Sequence, residues 1–443
     1  MNPAANHCPL PNSAVWSLAV RVFFMVLALA PLEARNIAPT FPAEAPFYHN
    51  QDIFVRSGRV AAYSNPILAV SGEGTVLMVL KARLDSPADK GHEQQVVLRR
   101  SLDNGKTWLG MQVIAEKAGY TVNPSGLVCD KEKNKVFVFF GVSAAQPHEN
   151  TADAKGRVAH PREDAEQSGT GVYVIESSDE GATWSEWRNI TRDLQPENGA
   201  RPYGICANSN GIQLQKGARK GRLVVSSRYA LGPTDIKNNL RNAVNCVFYS
   251  DDHGKTWKPG GHTRGWVGES AVVELSDGSL YLSNRNHDPV SIGVRSHDIS
   301  HDGGETFTEY GLDTELIEPI CHACIARYDK NTILFCNPKM GLRRMAKGKW
   351  PTGFRQNMTV RASFDDCKTW PVEKLIDPGW AGYSAISVCN DGTILCAYER
   401  GTGHPTEIIP SASRQNVAVA RFNLAWLMQL ERPPEVIAVS VKR

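Results

Sequence analysis

Cys321 and Cys324 stand two residues apart, the spacing of a thiolate metal or redox pair. A zinc site built this way needs a second such pair, and the chain has none. Residues 319–328 around the two thiols are largely apolar and read as a strand, so a buried strand pair is expected, with no metal and no redox cofactor. A second spacing is repeated. Ser, Asp, Gly, Thr and Trp recur within octads as Ser101, Asp103, Gly105, Thr107 and Trp108, then as Ser177, Asp179, Gly181, Thr183 and Trp184. A third copy is Ser250, Asp252, Gly254, Thr256 and Trp257. The fourth ends in an aromatic variant (Ser300, Asp302, Gly304, Thr306, Phe307), and the fifth replaces glycine (Ser363, Asp365, Cys367, Thr369, Trp370).

These residue types suit a pinned turn. An aspartate accepts bonds from nearby backbone N–H groups, glycine tolerates positive φ, and Ser and Thr tie side chain to backbone. The aromatic then packs under the next hairpin. Each copy follows an apolar strand, such as residues 95–100 or 171–176, so the repeating unit is strand, Asp-turn, strand. The copies lie far enough apart for a four-stranded propeller blade, which takes about 40–50 residues. Residues 45–430 accommodate six blades, with polar insertions at 148–169 and 340–353. The expected fold is all-β, a six-bladed β-propeller.

Composition agrees with a globular chain. Of 443 residues, 42% are hydrophobic and 21% charged, and 37 Gly with 26 Pro favour many turns over long helices. A net charge of +3 argues against a polybasic nucleic-acid binder. The apolar run at residues 22–30 is too short for a bilayer, which needs about 20 residues, and has the size of a signal-peptide core. Residues 1–34 are therefore expected to be an export signal, making the mature chain secreted or periplasmic with no transmembrane span. Ten cysteines leave nine once Cys8 is removed with the signal, which argues against a fully paired disulfide framework.

The octads are the turns called Asp-boxes, and the sequence resembles the sialidases (exo-alpha-sialidases, neuraminidases) over roughly residues 50–428. Asp-boxes sit on blade peripheries, so function rests on other segments. Residues 268–275 resemble the family's segment holding a glutamate beside the nucleophile, and Glu269 matches it. Residues 282–286 resemble the segment of the second arginine of a three-arginine cluster, matched by Arg285. Arg355, ahead of the fifth Asp-box, matches the third arginine, and Tyr383 in residues 380–384 matches the nucleophilic tyrosine. Residues 416–427 resemble the family's closing strand. The family's general acid follows an arginine on a loop. Arg83 matches that arginine, associated with the far side of the sugar, and Asp89 is the first choice for the acid, with Asp85 second and His92 and Glu93 open.

The chemistry explains these types. A sialic acid carries a carboxylate on its anomeric carbon, which repels a carboxylate nucleophile, so a neutral tyrosine is the better attacker. A phenol with pKa near ~10 needs a base, which a neighbouring glutamate supplies. Guanidinium forks bind the substrate carboxylate bidentately. The resemblance thus implies an exo-sialidase acting with retention on sialylated or other acidic glycans. One departure stands out. The family's first arginine lies in a Tyr-Arg-Ile-Pro sequence, and here Tyr63 and Pro66 flank Ser64 and Asn65. Losing one charge-assisted contact costs on the order of 1.5–3 kcal/mol. Arg56 and Arg59 lack the matching spacing. The alternatives are another acidic sugar on the same scaffold, or a glycan-binding propeller without turnover. Arg361 is expected to be structural, and Arg295 is open between pocket mouth and surface.

Overall fold

The structure is a computed structural model that describes residues 44–88, 92–145, 171–195, 201–202, 209–230, 243–341, 355–401 and 414–429. The candidate export signal and Asp89 lie outside the described residues, as do most of both polar insertions. Strands dominate. They begin with β1 (Tyr48–Phe54), β2 (Val60–Val70), β3 (Val76–Leu84), β4 (Gln94–Ser101) and β5 (Gln112–Ala115). There follow β6 (Tyr120–Asp130), β7 (Lys135–Ala144), β8 (Gly171–Ser177) and β9 (Arg188–Asn189). Three two-residue strands, β10 (Arg201–Pro202), β11 (Ser209–Asn210) and β12 (Ile212–Gln213), precede β13 (Leu223–Ala230), β14 (Ala243–Ser250) and β15 (Lys258–His262). A fourth run comprises β16 (Val267–Glu274), β17 (Leu280–Asn286), β18 (Val294–Ser300) and β19 (Glu309–Ile317). The last is β20 (Cys324–Arg327), β21 (Ile333–Pro338), β22 (Gln356–Ser363), β23 (Val372–Val388), β24 (Ile394–Gly401) and β25 (Arg414–Phe422), before the short helix α1 (Leu424–Met428). The chain is all-β, as expected.

The strands form four sheets of seven, five, nine and four strands. The two largest each join two antiparallel runs: β23 is long enough to pair with β22 through its first half and β24 through its second. Likewise β4 meets β6 in parallel at one residue pair. The first strand, β1, pairs antiparallel with the last, β25. Each run has an inner strand, and these are neighbours: β2 touches β6 and β23, β13 touches β6 and β16, and β20 touches β16 and β23.

The apolar sequence of β3 explains the stacking. Val76, Met78, Leu80 and Ala82 enter one cluster, and Leu77 and Val79 enter another. A strand apolar on both faces must be covered on both faces. In β7 the division repeats, with Phe137 and Phe139 on one side and Phe140 on the other. Each of the larger side chains stabilises the fold by about 1.5–3 kcal/mol.

The Asp-boxes staple the outer ends. In the third, Ser250 Oγ and Thr256 Oγ1 donate to the two oxygens of Asp252 at 2.8 and 2.6 Å, and Thr256 N donates to Asp252 Oδ1 at 2.9 Å. Gly254 N donates to Ser250 Oγ at 2.8 Å. The other four boxes repeat this pattern, with Cys367 N in the glycine's place. The threonine hydroxyl thus bonds the aspartate rather than backbone, which corrects the simpler expectation. Gly254 has φ +82°, and a Cβ there would lie 2.2 Å from Phe137. Glycine is therefore needed for close approach as well as for φ. Trp257 is 2% exposed and joins Phe139 and Phe248 edge to face; it and Trp370 are core residues, while Trp108, Trp184 and Phe307 are half-buried against the core clusters.

The eight described cysteines are all buried. Cys324 opens β20 opposite Cys336, but Cys321 lies before the strand, so the expected strand pair is only half right. Among the described residues no group of His, Cys, Asp and Glu is placed to hold a metal, and no helix is long and apolar enough to cross a membrane.

The substitution Gly254→Ala is expected to destabilise by about 3 kcal/mol or more, from overpacking added to the left-handed φ. At Gly58, where φ is +56° and an added Cβ would meet nothing within 4 Å, alanine is expected to cost about 1 kcal/mol. Urea unfolding of the two variants checks the difference.

Candidate active site

Regular strands alternate their side chains strictly, so a strand must break register to converge several polar groups on one point. Three inner strands do so. In β16 the pairing with β17 slips between Val267 and Ser270, which sets Gly268 and Glu269 against Arg285. In β23 it slips between Ala381 and Ser384, opposite Glu399. In β2 it slips between Ser64 and Ile67. Glu399 ties the last two together: its Oε1 accepts from Asn65 N at 3.1 Å and its Oε2 from Tyr383 N at 3.3 Å. At Gly268 an added Cβ would lie 2.7 Å from His287 Nε2 and 3.1 Å from Arg285 Cδ. Only glycine lets the Arg285 stem pass.

The result is a compact polar centre. Tyr383 Oη donates to Glu269 Oε1 at 2.6 Å. Arg285 Nη1 donates to Glu269 Oε2 at 2.6 Å and to Tyr383 Oη at 3.1 Å. The side chains of Glu269 and Arg285 keep 12% and 14% exposure, so the centre is sunk but reachable. Arg355 precedes β22, and its guanidinium carbon lies 5.5 Å from the centre of the Tyr383 ring. Arg355 Nη2 donates to Ile320 O at 3.0 Å.

Electrostatics separate the proton holder from the base. Burial alone would raise the Glu269 carboxyl, but the Arg285 charge and the Tyr383 hydrogen bond hold it well below the usual carboxylate range. Burial and the Glu269 charge push the Tyr383 phenol well above its ordinary value. The proton therefore rests on oxygen of the phenol, pointing at an ionised carboxylate. Burial would lower Arg285, but Glu269 overcomes this and keeps the guanidinium charged. Two histidines flank the centre in neutral form. Burial lowers His322 to about 4 and, with the Arg285 charge, His287 well below its usual range.

Glu269, Tyr383, Arg285 and Arg355, expected from the sequence, thus meet. The acid arm is only partly described. Arg83 on β3 donates to Pro87 O at 2.7 Å, holding the segment that leads towards Asp89. Asp85 is engaged by Arg59, with contacts of 3.1 and 2.6 Å. That hydrogen bond lowers its pKa, so Asp85 is ill suited to donate a proton. The same pair occupies Arg59, which leaves it unsuited to replace the first arginine. Glu93 Oε1 accepts from Gly119 N at 2.6 Å, and His92 O accepts from Thr121 Oγ1 at 2.9 Å. Ser64 is 2% exposed on β2, opposite Lys81. Arg361 is buried, bound to Asn337 and Glu373, and is structural as expected. Arg295 is neither mouth nor surface: it is fully buried against Glu318 at 2.8 Å.

Sequence reasoning missed His322, His287, Glu399 and Glu318. His322 was in view, between the two cysteines, but apolar neighbours concealed it. Glu399 and Glu318 are defined by partners far along the chain.

The chain matches the family model described as a BNR repeat-like domain over residues 130–396. It is 32% identical to a sialidase of Micromonospora viridifaciens across 96% of this chain, and it spans 62% of that relative's length. It is 28% identical to a sialidase of Bacteroides fragilis, across 86% of this chain and 68% of the relative. Among solved structures, a Hadza microbial sialidase superposes with a TM-score of 0.65 at 23% identity, covering 83% of this chain and 67% of the other. A leech intramolecular trans-sialidase gives 0.63 at 16% identity, covering 86% of this chain and 71% of the other. At these identities the structural likeness speaks to fold.

The neutral His322 makes a pH prediction. Its folded pKa of about 4 lies below the ordinary 6.5. Between those values the unfolded chain binds the extra proton, so stability rises with pH across the window and is lost on acidification. The full window is worth on the order of 3 kcal/mol. Relative to His322→Phe, the parent protein should lose melting temperature between pH 7 and pH 4.5; equal slopes would contradict the assignment.

Proposed function

The chain belongs to the sialidase family with BNR repeats, and from that premise we propose that it is an exo-alpha-sialidase, releasing terminal sialic acids from glycoconjugates with retention through a tyrosyl intermediate. One observation carries the reading: the 2.6 Å bond from Tyr383 Oη to Glu269 Oε1, bridged by Arg285. A phenol aimed at a buried, ionised carboxylate is an activated nucleophile. We also read the sheets as a six-bladed propeller. That reading is supported by the six antiparallel runs, by the neighbour order of the inner strands and by β1 joining β25.

In this mechanism the substrate carboxylate lies against Arg285 and Arg355. Its negative charge offsets the field that holds Glu269 so acidic, so binding itself makes Glu269 a better base. Tyr383 Oη attacks the anomeric carbon as Glu269 takes the phenolic proton, and the bond to the glycosidic oxygen breaks. Asp89 is the proposed donor of the proton that oxygen receives. Water then attacks the same carbon as the Asp89 carboxylate, left bare by the first step, takes one of its protons; the bond to Tyr383 breaks, and the phenol recovers its proton from Glu269.

Ser64 favours a second reading of the substrate within the same chemistry. With two arginines in place of three, the clamp suits an acidic sugar held less tightly through its carboxylate. Profiling aryl glycosides of sialic acid, ketodeoxynonulosonate and uronic acids separates the two.

Release of a fluorescent aglycone from an aryl sialoside tests the function. Turnover is expected, and no release at high enzyme concentration overturns the reading. The variant Tyr383→Phe should lower kcat by roughly a thousandfold or more while substrate still binds. Unchanged turnover would remove Tyr383 from the chemistry. Arg355→Ala is expected to act mainly on KM, raising it about 10- to 100-fold.

A further inference from the structure

Residues 318–322, between β19 and β20, hold an arrangement that the proposed chemistry does not use. Ile320 has φ +52°. A β-branched residue in the left-handed region is an outlier whose cost the surroundings must sustain. The sustaining contact lies two residues earlier. Glu318, fully buried, bonds Arg295 Nη1 through Oε2 at 2.8 Å and accepts from Asn286 N through Oε1 at 2.7 Å. Arg295 in turn donates to Cys321 O at 3.2 Å and to Ser283 O at 3.0 Å. Both ends of the strained residue are thereby clamped to β17 and β18.

What the clamp presents is specific. The Ile320 carbonyl receives Arg355 Nη2 at 3.0 Å. Two residues on, the His322 ring lies 5.3 Å from the Tyr383 ring, tilted by 30°. His322 is 1% exposed, and its ring nitrogens find only a weak contact with the Ser384 backbone, too poor in geometry to satisfy either. The imidazole therefore serves as a flat wall, not as a proton carrier.

We propose that residues 318–322 are the positioning element of the active site: the buried pair Arg295 and Glu318 holds Ile320 in a strained turn that aims its carbonyl at Arg355 and seats the His322 ring against Tyr383. Neither Ile320 nor His322 does chemistry. Each acts through its neighbour, Ile320 on the carboxylate clamp and His322 on the nucleophile. The effect on catalysis rests on the sialidase reading; the effect on Tyr383 geometry does not.

Two matched pairs of variants test it. Ile320→Gly and Ile320→Ala lose similar side-chain contacts but differ in backbone freedom. The glycine variant should be the more stable of the two, because φ +52° suits it. It should nevertheless have the higher KM, by about 5- to 10-fold, as the carbonyl loosens from Arg355. A glycine variant less stable than alanine, or with KM within twofold of it, overturns the role of Ile320. His322→Ala should lower kcat about 10- to 100-fold with KM little changed, and His322→Phe, which keeps the wall, should restore it to within about threefold of the parent. If phenylalanine fails as alanine does, the wall is not the function. Carbon-13 labelling at tyrosine Cζ gives a readout independent of sialoside turnover. The Tyr383 resonance, assigned by its loss in Tyr383→Phe, should shift and broaden in His322→Ala but not in His322→Phe. A parent that cleaves no sialoside yet shows this pattern would sink the function while sustaining the positioning; an unmoved resonance in His322→Ala would sink the positioning itself.

Discussion

The carboxylate of Glu269 is ionised in a sunk pit, and a buried charge without compensation is expensive. The compensation comes from one guanidinium and one phenol: Arg285 and Tyr383 each bond it at 2.6 Å. Much of the surrounding structure serves this triangle. Arg285 reaches Glu269 because Gly268 leaves room for its stem. Tyr383 reaches it because β23 slips register there, and Glu399 pins the slipped backbone. The same bonds that offset the charge also sort the protons, keeping the phenol protonated and the carboxylate bare. Stability and readiness for chemistry are here one arrangement.

Regularity and irregularity are divided between the outside and the inside of the sheets. Outer turns repeat one hydrogen-bond pattern five times, and the fifth keeps it even with Cys367 at φ +68°. Ladders stacked on both faces give a rigid frame. Inner strands break the ladder where polar groups must converge, since a strict period of two sends neighbouring side chains to opposite faces. The strained turn at Ile320 belongs with these breaks. Each is tolerable because stapled ladders hold its flanks.

Charge in the pit favours an anion. Arg285 bonds Glu269, Arg355 lies beside the Tyr383 ring, and both neighbouring histidines are kept neutral by burial. On the β2 side the buried Ser64 supplies no charge. Arg295 and Glu318 form a second buried ion pair behind the first. Such pairs contribute little net stability, because desolvation offsets attraction. Their use here is to fix direction.

Much of this was legible in the residues alone. Five octads of Ser, Asp and Thr announce a repeated β unit, because the turn chemistry is local and complete within eight residues. The contacts of Asp252 lie within four positions along the chain. Glu269, Arg285, Arg355 and Tyr383 were found through segments whose order matched a family. Their convergence was not legible: 114 positions separate Glu269 from Tyr383. Arg59 and Asp85, both weighed for the site, proved to be bound to each other, which no spacing of 26 residues announces. Glu318 and Glu399 left no local sign at all, and His322 showed only as a residue between two cysteines. The sequence by itself determined the repeating unit and the reactive residue types, since both depend on neighbours in the chain. Only the tertiary structure decided which charges meet, which histidines stay neutral and where the backbone strains, because burial and register belong to the stacked sheets and not to any one segment.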